Sequence, residues 1–226
     1  MALTELNKEP FVGLSSSANP CILLRGGWGT GKTETLLQTI MCLLNSRNLP
    51  GTSTTTVMPP HTPNALPPHT PNEMPHPERM HILLATHTNS AADYCITKRL
   101  HEYMCLHREC TMLRVVKPGR WVRSIDPLVL PYCTRDKQGN MCVWPPSQQL
   151  HEAHLLVMTL SLALSLARNT QLTQFAGHFT HIFMDEAGQC LEVEALIPLL
   201  LASPNTVVFL AGYSNWRHTD DFTYLI

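Results

Sequence analysis

The amino-acid sequence predicts an α/β fold, a mostly parallel sheet with helices on both faces. Three observations predict it. Short, continuous apolar runs alternate with longer segments of helical periodicity. A glycine-rich loop, Gly26-Gly27-Trp28-Gly29-Thr30-Gly31-Lys32-Thr33, joins one such run to one such segment. A later apolar run, His181-Ile182-Phe183-Met184, ends in the adjacent acids Asp185 and Glu186, where open α/β sheets bind ligands.

Taken in order, Cys21-Ile22-Leu23-Leu24 reads as a short buried strand and Thr33 to Leu44 as a helix. Ile82-Leu83-Leu84-Ala85 is apolar throughout, as a strand covered on both faces should be. Asn89-Ser90 opens a helix reaching about Arg108, with Ala92, Ile96, Leu100, Tyr103 and Met104 along one side. Leu113-Arg114-Val115-Val116 is a strand stopped by Pro118-Gly119, and irregular structure is expected from Gly119 to about Gln149. Leu155 to Leu160 reads as a strand passing into a helix through about Ser165. Phe179 to Met184 is a strand, Glu192 to Leu201 a helix broken or restarted near Pro198, and Val207-Val208-Phe209-Leu210 the last strand.

Residues 46–79 stand apart. Pro59-Pro60-His61-Thr62-Pro63-Asn64 recurs as Pro67-Pro68-His69-Thr70-Pro71-Asn72, after the run Thr52-Ser53-Thr54-Thr55-Thr56. Proline at this density forbids helix and disfavours interior strand, so an extended or disordered insertion is expected. His61, His69 and His76 invite a metal reading, against which stands a solvated loop.

The 226 residues suit one ordinary domain, or one domain carrying an insertion. Sixteen basic against seventeen acidic residues announce no nucleic-acid partner through net charge. Eight irregularly spaced cysteines, with no signal-peptide pattern at the start, read as free thiols in a reducing intracellular compartment, cytoplasmic or nuclear. The most apolar run, Leu155 to Ala167, is too short to span a bilayer, so no membrane association is expected.

The chemistry lies in the loop and the acids. Gly26 to Thr33 matches the phosphate-loop pattern G-x-x-x-x-G-K-[ST]. Its glycines let successive backbone N–H groups turn toward phosphate oxygens, and the following helix adds its positive end. Gly26, Gly27, Trp28, Gly29, Thr30, Gly31, Lys32 and Thr33 are thus the candidate nucleotide-binding residues, with Lys32 reaching the β- and γ-phosphates. Thr33 and Asp185 are candidate Mg²⁺ ligands, and Glu186 can deprotonate an attacking water. A solvated turn or a helix N-terminus is the plainer reading of an isolated Asp-Glu pair.

Together with Asp185-Glu186-Ala187-Gly188-Gln189, the loop resembles the superfamily 1 Up-frameshift-like RNA helicases. Ala85-Thr86-His87-Thr88-Asn89-Ser90-Ala91-Ala92-Asp93 resembles their motif Ia, Val157 to Ser161 motif Ib, and Phe209-Leu210-Ala211-Gly212 the start of motif III. Val115 to Cys133 and Phe179 to Pro198 look most like the helicase-with-zinc-finger branch and its Moloney-virus-restriction relatives. The resemblance implies a RecA-like P-loop NTPase domain over residues 1–212, binding ATP and Mg²⁺. It gives Lys32 and Glu186 catalytic roles and implies a single-stranded nucleic-acid partner, RNA, met by Thr88, Asn89, Thr159 and Ser161. Helix capping competes for each of those four.

This sequence departs from the family at several points. Gly212 is followed by Tyr213-Ser214-Asn215-Trp216-Arg217, without the family's Asp and Gln; an upstream Q-motif Gln has no match, and Trp28 replaces a usual Pro. Residues 213–226 are expected to form an atypical tail, with the second motor domain of the family absent. The expectation is a truncated or partial helicase that binds ATP, hydrolyses it slowly at most, unwinds nothing alone, and shares protein partners with its parent. A catalytically incomplete nucleotide-binding or decoy module is the alternative. Weaker readings are a zinc module, from Cys105, His107, Cys110, Cys133 and Cys142, or a small-molecule kinase.

Overall fold

A computed structural model describes residues 21–46, 80–168 and 175–212. Six parallel strands form one sheet in the order β1-β6-β5-β2-β4-β3. They are β1 (Cys21–Arg25), β2 (Ile82–Thr86), β3 (Met112–Arg114), β4 (Leu155–Thr159), β5 (His181–Asp185) and β6 (Val207–Gly212). The helices are α1 (Lys32–Ser46), α2 (Asn89–Cys95), α3 (His101–Leu106), α4 (Ser147–Glu152), α5 (Leu160–Arg168) and α6 (Glu192–Leu196).

The continuous apolar runs are explained by alternation across two covered faces. Ile82 and Leu84 of β2 join Leu155 and Val157 of β4 in one core, packed under α1, α2 and α3. Leu83 and Ala85 face the other way, with Leu156 and Met158, against α4, α5, Phe175 and Phe179. In α1 the buried positions are Leu36, Leu37, Ile40 and Leu44, one stripe at helical spacing. Each fully buried leucine contributes about 1.5–3 kcal/mol.

The structure differs from the sequence expectation in four places. Ile22 and Leu23 of β1 are 38% and 44% exposed, because β1 is an edge strand paired only with β6 among the described residues. The long helix from Asn89 ends at Leu106 and is not uniform: α2 and α3 are joined by a π-helical turn, Ile96–Leu100. The strand at Leu113 begins at Met112 and stops at Arg114, although Val115 still donates its N–H to the Val157 carbonyl at 2.9 Å. The segment after Gly119 holds short 3₁₀ turns and isolated bridges, but its end is helix α4, starting behind Pro146. A restart at Pro198 appears as a change from α6 to a 3₁₀ turn, Ile197–Leu201. Ser46 closes α1; the rest of the expected insertion, 47–79, and the tail, 213–226, lie outside the described residues.

Candidate functional site

The chain leaves β1 at Arg25 and turns through the glycine-rich loop into α1. Gly29 and Gly31 have φ of 70° and 85°, a region that side chains with a Cβ avoid. The Thr30 hydroxyl donates to the Gly27 carbonyl at 2.9 Å, and the Gly31 carbonyl accepts from the Thr35 N–H at 2.9 Å, starting the helix. Lys32 Nζ lies inside the curve of the loop, donating to the carbonyls of Gly26 at 2.9 Å and Gly27 at 2.7 Å.

Across the sheet, Asp185 ends β5 and is 4% exposed. Its Oδ2 accepts from the Thr33 hydroxyl at 2.8 Å, and its Oδ1 accepts from the Glu186 N–H at 3.0 Å. Burial pushes the Asp185 carboxyl pKa up, while the Thr33 hydroxyl, the Glu186 amide and the Lys32 charge pull against it. Glu186 stands in the left-handed region, φ 57° and ψ 33°, where the strand breaks into the 3₁₀ turn Ala187–Gln189. These groups line a cleft of about 360 Å³, floored by residues 28–33 and walled by Asp185, Glu186 and Gln189. β6 separates β1 from β5 and brings Gly212 to the cleft.

The other four predicted residues meet along the same sheet edge. β2 and β4 are neighbours with Thr86 opposite Thr159, so Thr88 and Asn89 emerge beside Thr159 and Ser161. Thr88 caps α2, its hydroxyl accepting from the Ala91 N–H at 3.1 Å. Thr159 is buried, with its hydroxyl 3.1 Å from that of Ser161. Asn89 Oδ1 accepts from Arg114 Nη2 at 2.9 Å.

Sequence reasoning missed several residues. Tyr94 and Lys98, from α2 and its π-helical turn, line the nucleotide cleft. Arg114 is fully buried and bonded to Asp93 and Asn89; its only sequence signal is a charge inside an apolar run. Of the zinc candidates, Cys133 and Cys142 lie together in the core under α1 to α3, within side-chain hydrogen-bond contact. Among the described residues no group of three or more His, Cys, Asp or Glu is placed to hold a metal.

A phosphate loop facing a strand-end acid pair across an inserted strand defines a RecA-like, helicase-type nucleotide-binding domain. Residues 137–212 match the AAA domain family. The chain is 39% identical over 196 residues to the mouse protein called 3'-5' exoribonuclease HELZ2, covering 85% of this chain and 5% of that one. It is 32% identical over 194 residues to the human probable helicase with zinc finger domain, covering 85% and 8%. With the Drosophila melanogaster probable RNA helicase armi it shares 30% over 203 residues, 84% of this chain and 14% of the other. The fold is similar to that of the DEAD-box helicase Mss116 bound to ssRNA and UDP-BeF, with TM-score 0.51 and 15% identity, over 93% of this chain and 34% of that one. These matches support the Up-frameshift-like branch of the superfamily 1 helicases, which the motifs of this chain resemble. It spans 5–14% of the length of these three curated relatives.

Proposed function

We propose that this chain is the ATP-binding motor module of an RNA helicase, hydrolysing ATP in the cleft and meeting single-stranded RNA at the β2 and β4 tips. The observation that carries this reading is the 2.8 Å contact between the Thr33 hydroxyl and the Asp185 carboxylate, made across 152 residues of sequence. A hydroxyl and a carboxylate side by side are the hard oxygen donors that suit Mg²⁺, and Lys32 stands beside them. Bound Mg²⁺ would neutralise charge on the phosphate oxygens. The loop amides of Gly26 to Thr33 orient the phosphates, Lys32 moves from its own carbonyls to the β- and γ-oxygens, and Glu186 takes the proton of the attacking water.

At the second group, Thr88, Asn89, Thr159 and Ser161 offer neutral donors suited to a sugar–phosphate backbone, reading no base edge. Residues 1–212 form the module. Eight free cysteines support a reducing cytoplasmic or nuclear setting. Among the described residues no helix is long and apolar enough to cross a membrane.

Titration of a fluorescent ATP analogue with and without Mg²⁺ tests the reading. Lys32→Ala should weaken binding by about 10- to 100-fold, the loss of a charge-assisted contact. Equal affinity in parent and variant overturns the assignment. A binding-only module is favoured by the sequence after Gly212, where the family's Asp and Gln are replaced. ADP formation by the parent chain, lost in Glu186→Gln, would overturn that second reading.

A further inference from the structure

Arg114 is the largest fully buried side chain in the molecule among the described residues, and the nucleotide chemistry makes no use of it. It ends β3, next to the tip of β4, and three of its nitrogens have partners. Nε donates to Asp93 Oδ1 at 2.8 Å, Nη1 to the Val115 carbonyl at 2.6 Å, and Nη2 to Asn89 Oδ1 at 2.9 Å. Arg120 Nη2 reaches the other Asp93 oxygen at 3.5 Å, so both guanidinium groups converge on one carboxylate.

This arrangement is costly as a stabiliser. Taking a guanidinium fully out of water offsets most of the Coulomb gain of its ion pair, and an apolar side chain of similar volume packs as well or better. The charge therefore calls for a role beyond holding β3 to α2. Direct contact with a ligand is ruled out, because the Arg114 side chain is 0% exposed. What remains is its grip on Asn89. A guanidinium only donates, so the atom of Asn89 facing it must be the carboxamide oxygen, and the NH₂ is turned away from it. Asn89 is itself exposed at the start of α2, beside the Thr159–Ser161 pair.

We propose that Arg114 is a positioning residue for nucleic-acid contact: it fixes the Asn89 carboxamide with its NH₂ directed at the sugar–phosphate backbone of a single strand, and Asp93 and Arg120 hold Arg114 in place. This rests on the reading of the β2 and β4 tips as the RNA face. Because Asp93 balances the Arg114 charge, the device supplies orientation rather than attraction.

The test measures oligouridine affinity by fluorescence anisotropy at fixed low salt, using the full 226-residue chain. Arg114→Met should weaken RNA binding roughly tenfold, with ATP-analogue affinity unchanged. In an Asn89→Ala background the same substitution should have little further effect, a coupling of about threefold or more. Equal effects in both backgrounds overturn the proposal, as does unchanged affinity in Arg114→Met. Should Arg114→Met fail to fold, Asn89→Asp decides. It keeps a partner for Arg114 and the thermal midpoint, but replaces the outward NH₂ by oxygen, so RNA affinity must fall; retained affinity overturns the proposal. A parent chain that binds no RNA sinks the RNA face and this inference together, whereas a binding parent with additive substitutions sinks the inference alone.

Discussion

The two polar groups along the carboxyl edge of the sheet are built on different plans. At the tips of β1 and β5 the groups are ionic and are tied to each other across the sheet, Thr33 to Asp185, with Lys32 folded into its own loop. At the tips of β2 and β4 they are neutral and tied to their own helices, Thr88 as a cap and Thr159 to Ser161. Only Asn89 is braced from elsewhere, by Arg114. A triphosphate has to be met by charge already in place, since reorganising dipoles during reaction raises the barrier. A strand followed without regard to sequence needs only modest donors at regular intervals.

The sharpest way to break this contrast is at the acid end. Glu186→Gln should lower ADP release by about 10²- to 10⁴-fold while leaving nucleotide affinity intact. Turnover that survives the change removes Glu186 from the chemistry. Next in size is Gly212→Ala. A Cβ there would stand 2.8 Å from the backbone nitrogen of Gly188, forcing the β6 tip away from the turn that carries the acids. Chemical denaturation should show a loss of about 1–3 kcal/mol, with turnover falling too; an unchanged unfolding midpoint would mean the tip yields freely.

A smaller effect sharpens the neutral end. Thr88→Ala removes the cap of α2 and should cost about 1 kcal/mol of stability. Its RNA affinity should fall less than that of Asn89→Ala, and the reverse order would make the hydroxyl the principal contact. The smallest effect concerns the scaffold below both groups. His178 packs 4.0 Å from the His81 ring and 5.0 Å from that of His151. Burial, then the two neighbouring histidines, pushes its pKa down to about 3. The unfolded chain therefore binds a proton that the folded one refuses. This contribution is intact above about pH 6.5 and is lost as pH falls toward 3. Thermal melts should shift down modestly between pH 7 and pH 5, and His178→Phe should flatten that slope.

The nucleotide end was legible because its residues are contiguous or stand at a strand terminus: a loop between strand and helix, and two acids after an apolar run. Other features depend on neighbours distant in sequence. β1 reads as buried from its composition, but its exposure follows from its place at the sheet edge. Helix α4 was hidden by Pro145 and Pro146, since proline signals irregular backbone yet fits just before a first helical turn. The π-helical turn at Ile96–Leu100 leaves no mark on an apolar periodicity that continues through it. Arg114 could be seen as a charge out of place, but its partners lie 21 and 25 residues earlier, and only the folded sheet edge brings them together.

The left-handed backbone of Glu186 has a consequence for how this domain can change. A residue with a Cβ at φ 57° costs about 1–2 kcal/mol, which glycine would recover. Selection for heat resistance alone would therefore favour Glu186→Gly and lose the proposed base, whereas selection for turnover would restore it. At this position durability and chemistry pull in opposite directions, and the glutamate that the chain carries stands on the side of chemistry.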